Sequence, residues 1–196
     1  MSYRFDKPFD FYFVRHGITE LNFRGLRCGG DRDVPLMDLG CDQAYLLAKQ
    51  IQRLGIPLKL IRCGKLQRVR QTALIISGVL GGLPIEIDED LKEREIGVWN
   101  ERPLEESEDL IAQGVTPENG ESEVKFKGRV AEALARLART SGNQLIVSSK
   151  GVGRIFNSLL GGPGSLHVSN GELIKFNVSL NDDGTPKLAI ARPSFV

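Results

Sequence analysis

Residues 11 to 17 read Phe-Tyr-Phe-Val-Arg-His-Gly, an apolar run closed abruptly by a guanidinium, an imidazole and a glycine. A short continuous apolar run suits a strand covered on both faces, so Phe11 to Val14 is expected to be buried in a sheet. Ligands of parallel sheets bind just beyond the carboxyl ends of the strands. Arg15 and His16 are therefore expected at the mouth of a site, where Gly17 lets the backbone turn sharply and approach a bound group. The plainer reading of the same residues is a capped strand end with a hydrogen-bonded histidine. Two other candidates also carry plain readings. Arg68 belongs to Lys65-Leu66-Gln67-Arg68-Val69-Arg70, a run that would suit a solvated helix face. Glu93 sits among Glu89, Asp90 and Glu95, as a surface acid would.

The elements that must position these side chains alternate between strand-like and helix-like, the signature of an α/β domain. Residues 18 to 38 read as a loop with a turn of helix. Ala44, Leu47, Ala48, Ile51 and Leu54 predict a helix from about Gly40 to Leu54, with Gly55 as its cap. Leu58 to Ile61 reads as a second strand. Leu66, Val69, Ala73, Ile76 and Leu80 mark a second helix ending at Gly81-Gly82, and Ile85 to Ile87 a third strand. Residues 88 to 121 are acidic and irregular, with a short helix near Leu104 to Ala112. Phe126, Val130, Ala133, Leu134 and Leu137 give a further amphipathic helix, closed by Ser141-Gly142. Gln144 to Ser148 is a strand, and a turn then leads into a helix near Val152 to Leu160. Ile174, Phe176, Val178 and Leu180 alternate with polar residues, and Asp182-Asp183-Gly184 turns them into Lys187 to Ala191 as a hairpin. No repeat or linker interrupts the chain, so one domain over residues 1–196 is expected.

Composition narrows the function classes. The 196 residues carry a formal net charge of +1, without the Lys and Arg excess of a protein that tracks a phosphate backbone, so nucleic acid is not an expected partner. Cys28, Cys41 and Cys63 are widely spaced, and with His16 and His167 the only histidines neither a disulfide framework nor a structural zinc site is expected. No apolar run approaches membrane-spanning length, and the opening residues lack a signal-peptide core. A cytoplasmic protein is expected. No spacing bears on oligomeric state.

Five ordered stretches then resemble the histidine phosphatase superfamily, which also contains the cofactor-dependent phosphoglycerate mutases. Arg15-His16-Gly17-Ile18-Thr19-Glu20-Leu21-Asn22 is similar to the family's Arg-His-Gly-Glu-Thr-x-x-Asn. Pro35-Leu36-Met37-Asp38-Leu39-Gly40 resembles its Pro-Leu-Thr-x-x-Gly, and Leu66-Gln67-Arg68-Val69-Arg70-Gln71-Thr72-Ala73 its Leu-x-Arg-Ala-x-Gln-Thr-Ala. Leu91-Lys92-Glu93 with Ile96-Gly97-Val98-Trp99 resembles its Leu-x-Glu-x-x-x-Gly-x-Trp, and Gly120-Glu121-Ser122 its Gly-Glu-Ser. The resemblance implies a three-layer, phosphoglycerate mutase-like α/β fold, with a mixed, mainly parallel sheet covered by helices on both faces.

It also implies phosphoryl transfer to a histidine nitrogen. His16 would attack the phosphorus of a small phosphorylated substrate and form a phosphohistidine that water hydrolyses. Arg15 and Arg68 match the phosphate-clamping arginines, whose planar forks suit two oxygens at once. Asn22 and Thr19 would add neutral donors. Glu93 matches the general acid. The resemblance calls for no metal and no cofactor. One stretch departs from the pattern: where the family reads Val-Ser-His-Gly-Gly-x-x-Arg, this chain has Val147-Ser148-Ser149-Lys150-Gly151-Val152-Gly153-Arg154. Ser149 falls at the second-histidine position, and Lys150 beside it could restore charge only if the strand has already ended. Two functions follow as expectations: a phosphomonoesterase weakened or specialised by the change, or an impaired relative that binds phosphorylated ligands or a protein partner. A mutase fits less well, since only residues 100 to 121 could form a lid.

Overall fold

The computed structural model describes residues 4–140 and 142–194. A single six-stranded sheet organises them, with strand order β3-β2-β4-β1-β5-β6. Its strands are β1 (Phe9–Arg15), β2 (Leu60–Cys63), β3 (Ile85–Ile87), β4 (Gln144–Ser148), β5 (Leu173–Leu180) and β6 (Pro186–Ala191). The first four run parallel, β5 is antiparallel to β1, and β6 closes the far edge as a hairpin with β5.

Strand alternation sends β1 side chains into two cores. Phe11 and Phe13 face α5 (Glu123–Arg139) and α6 (Lys150–Leu159), where they meet Phe126, Phe156 and Phe176. Val14 faces α2 (Asp38–Arg53) and α3 (Gln67–Val79), against Leu47, Ile51, Val69 and Ile76. Helices thus cover both faces, and every residue of β4 is buried between them. A short α1 (Glu20–Phe23) follows β1, and α4 (Glu105–Ala112) lies within the acidic stretch, which also holds two single 3₁₀ turns at Glu89–Leu91 and Gly97–Trp99. Among the described residues no helix is long and apolar enough to cross a membrane.

Several expected boundaries shift, β1 starting at Phe9 rather than Phe11. The second strand runs over Leu60–Cys63 rather than Leu58 to Ile61, because pairing with β4 from Leu60↔Gln144 to Cys63↔Val147 sets the register that buries Ile61 and Cys63. The first long helix starts at Asp38, two residues before Gly40. The helix after β4 starts at Lys150 rather than Val152, because Ser149 takes extended N-cap geometry (φ −114°, ψ 166°). That last shift makes Lys150 the first residue of the helix rather than a strand residue. Of the expected Ser141-Gly142 stop, Ser141 lies outside the described residues.

Candidate active site

The carboxyl ends of β1 and β4 emerge side by side, with Arg15 paired to Ser148, and the backbone N–H of His16 donates to the Ser148 carbonyl at 2.9 Å. One step further on, His16 and Ser149 leave their strands together. The His16 ring is buried, and its Nδ1 lies 2.7 Å from the Gly17 carbonyl. A carbonyl can only accept, so Nδ1 carries the proton and Nε2 keeps its lone pair. Burial holds the imidazole well below the usual histidine range, and the Arg68 and Arg15 guanidiniums push the same way. Burial and both guanidiniums thus favour the neutral ring.

Side chains of α2 and α3 fix the loop that carries His16. The Gly17 N–H donates to Thr72 Oγ1 at 3.1 Å, the Ile18 N–H to Gln43 Oε1 at 2.8 Å, and the Leu36 N–H to Gln71 Oε1 at 2.8 Å. Gly17 and Gly40 touch backbone to backbone. A Cβ on Gly17 would stand 2.3 Å from the Gly40 carbonyl oxygen, and one on Gly40 the same distance from that of Ile18.

Arg68 is not on a solvated face. It is 1% exposed, and Nη1 and Nη2 donate to the carbonyls of Arg32 (2.7 Å) and Gly29 (3.0 Å). Among the described residues it has no carboxylate partner within 4.0 Å, and its Nε has no hydrogen-bond acceptor. Arg15 donates through Nη1 to the Val168 carbonyl at 3.2 Å, while its Nε and the Ser149 hydroxyl are likewise buried without a partner. Buried polar groups are ordinarily satisfied. Arg15 Nε, Arg68 Nε and the Ser149 hydroxyl are three such unpartnered donors on the elements around His16.

Glu93 approaches from the acidic stretch, and it influences the Arg15 guanidinium electrostatically. Its Oε1 accepts the Arg94 N–H at 2.7 Å and its Oε2 the Gly151 N–H at 3.0 Å, at the amino end of α6. Gly151 makes room for it, since a Cβ there would lie 2.2 Å from Oε1. Lys150, half-buried at the first position of α6, is lowered from the usual lysine range by burial, then by Arg15 and Arg154. The strand has therefore ended before Lys150, which shares its surroundings with Arg15.

Thr19 is buried and caps α1, its Oγ1 accepting the Asn22 N–H at 3.3 Å, which leaves its own proton free to donate. Asn22 Oδ1 accepts from Asn170 Nδ2 at 3.4 Å, so its amide donors point elsewhere. Asn170 also donates to the His16 carbonyl at 2.9 Å, and the Gly171 N–H to the Arg15 carbonyl at 2.9 Å. Sequence reading missed Asn170, and its only signal was an Asn-Gly turn before β5. His167 is exposed, outside this cluster.

With this geometry in view, the profile of the histidine phosphatase superfamily (branch 1) matches residues 11–182. The chain belongs to that superfamily. An adenosylcobalamin/alpha-ribazole phosphatase of Escherichia coli is 33% identical over 154 residues, 72% of this chain and 73% of that protein. The solved alpha-ribazole phosphatase of Shigella flexneri superposes with a TM-score of 0.71 at 26% identity, covering 95% of this chain and 98% of that one. An agropine synthesis reductase of Rhizobium rhizogenes is 35% identical over 179 residues, 85% of this chain, yet the chain spans only 39% of that protein's length. Superfamily membership and the six-stranded mixed sheet both agree with the resemblance carried by the five stretches.

Proposed function

We propose that the protein hydrolyses small phosphomonoesters through a phosphohistidine on His16. The observation that carries this reading is Arg68: a guanidinium buried without a carboxylate partner among the described residues, beside an imidazole whose neutral form burial favours. A buried unpaired cation is costly, and a dianionic phosphoryl group offsets that cost. Arg15 Nε, Arg68 Nε and the Ser149 hydroxyl supply unengaged donors for its oxygens, with Asn22 and Thr19 beside them.

In the first step the Nε2 lone pair forms a bond to phosphorus as the bond to the ester oxygen breaks, and Glu93 gives its proton to the departing alkoxide. In the second, the Glu93 carboxylate takes a proton from water as the oxygen attacks phosphorus. The P–N bond breaks and Nε2 recovers its lone pair. The guanidiniums neutralise charge on the equatorial oxygens throughout, the role of fixed donors in phosphoryl transfer. The named activity of the alpha-ribazole phosphatase relatives supports a small phosphorylated substrate.

Ser149 favours one alternative, an impaired member that binds phosphorylated ligands without turnover. A hydroxyl has one donor and no cationic form; losing one transition-state donor costs about 10²–10³-fold. We read Lys150 as partial compensation, because its ammonium shares the Arg15 environment. The test is phosphomonoester hydrolysis in the presence of a chelator by wild type, H16A and S149H. Turnover above H16A, raised further in S149H, is expected. Phosphate binding with turnover no greater than H16A would favour the binding reading.

A further inference from the structure

The stretch Gly120-Glu121-Ser122 divides into two tasks. Ser122 caps α5, its Oγ accepting the Lys125 N–H at 3.2 Å. Glu121 turns inward with a side chain 3% exposed, and one guanidinium takes both its oxygens: Arg129 Nε on Oε1 and Nη2 on Oε2, each at 2.8 Å. The remaining donors of Arg129 go to the backbone that carries the acid. Nη1 donates to the carbonyls of Asp90 (2.9 Å) and Lys92 (2.5 Å), and Nη2 to that of Glu93 (3.0 Å). From the other side, Arg94 Nε donates to the Glu121 carbonyl at 2.8 Å, and the Glu121 N–H to that of Glu95 at 2.8 Å. Segment 90–95 is thereby gripped along its backbone, while the Glu93 carboxyl itself accepts the N–H groups of Arg94 and Gly151.

We infer that the Arg129–Glu121 pair is the positioning unit for the proton-donating carboxyl, fixing the backbone of 90–93 so that Glu93 reaches the departing oxygen. This rests on the hydrolytic reading above. Being a neutral pair overall, it acts by geometry, and buried ion pairs contribute little net stability by themselves. Lysine cannot replace it, because a single ammonium with three donors cannot donate to three carbonyls and to both oxygens of a carboxylate.

General acid catalysis matters in proportion to how poor the leaving group is, which separates positioning from mere support of the fold. In R129K, kcat/KM for glycerol phosphate, which reports only phosphoryl transfer to His16, is expected to fall roughly 10–100-fold, while kcat/KM for 2,4-dinitrophenyl phosphate, whose leaving group needs no proton, changes less than about threefold. E93Q should show the same steepened dependence on leaving-group pKa. E121Q, close to isosteric, should move in the same direction by less, and it decides the matter if R129K does not fold. Equal losses on both esters, with the dependence unchanged, would overturn the inference. Amide hydrogen exchange gives a readout without turnover: residues 91–94 should exchange roughly tenfold faster in R129K while β1 is unaffected. If the wild type hydrolyses neither ester, the hydrolytic reading fails on its own, and unchanged exchange at 91–94 would then overturn the positioning role.

Discussion

The two walls of the pocket are built by different means. The nucleophile wall rests chiefly on backbone packing: β1 and β4 end together, Gly17 rests on Gly40, and side chains from α2 and α3 take up the loop N–H groups. The acid wall is an irregular segment held by side chains, chiefly Arg129, Glu121 and Arg94. Backbone packing tolerates little displacement, because interiors are close-packed. A guanidinium clamp fixes position through directional bonds that one substitution can release. On the proposed mechanism, His16 is thus positioned by the fold, and Glu93 by a replaceable fastening.

Substitutions on the two walls should separate accordingly. On the nucleophile wall R68Q removes the buried fork, and kcat/KM should fall about 10²–10³-fold for every ester whatever its leaving group. On the acid wall G151A meets only the tip of Glu93, which can swing away. Stability should hardly change, while kcat/KM for glycerol phosphate falls on the order of tenfold and kcat/KM for activated aryl phosphates is spared. Steady-state kinetics on the two ester types would show the split, and a uniform loss in G151A would break the comparison.

G40A should do the reverse. Its methyl meets the backbone oxygen of Ile18, which has nowhere to go, so the urea midpoint should drop by the equivalent of about 1–3 kcal/mol. Any surviving activity should keep the wild-type dependence on leaving group.

The nucleophile wall was the more legible in sequence, for the same physical reason that it is rigid. Its parts are a continuous apolar strand, helices with one apolar face and closely spaced glycines, all of which leave local patterns. β1, α3, β3, β4 and the closing hairpin stand close to where periodicity put them. Boundaries moved where a partner strand or an N-cap decided, at Leu60 and Lys150. Arg68 looked locally like one cation of a solvated run, and only the ordered resemblance set it apart. The clamp on the acid wall joins residues 8 to 39 positions apart through side chains and carbonyls, which no periodicity records. Asn170 escaped notice likewise, since its bond to the His16 carbonyl spans 154 positions.

The smallest expected effect is on stability against pH. The unfolded chain takes up a proton on His16 below the usual value of 6.5, whereas the folded site keeps the ring neutral to well below it. More protons are then bound in the unfolded state, so stability falls as pH drops from 6.5 and is unaffected above it. The loss should be at most about 1.4 kcal/mol per pH unit, present in wild type and absent in H16N when urea midpoints are compared. Equal slopes in the two proteins would contradict a neutral buried imidazole.

The most direct measurement is to trap the phosphoenzyme. Wild type and H16A are mixed briefly with 2,4-dinitrophenyl phosphate, denatured in alkali to preserve the acid-labile P–N bond, and digested for peptide mass spectrometry. Phosphate on His16 in wild type and none in H16A is the expected result. Steady turnover with His16 unmodified, or with phosphate on another side chain, would contradict the assignment of His16 as nucleophile.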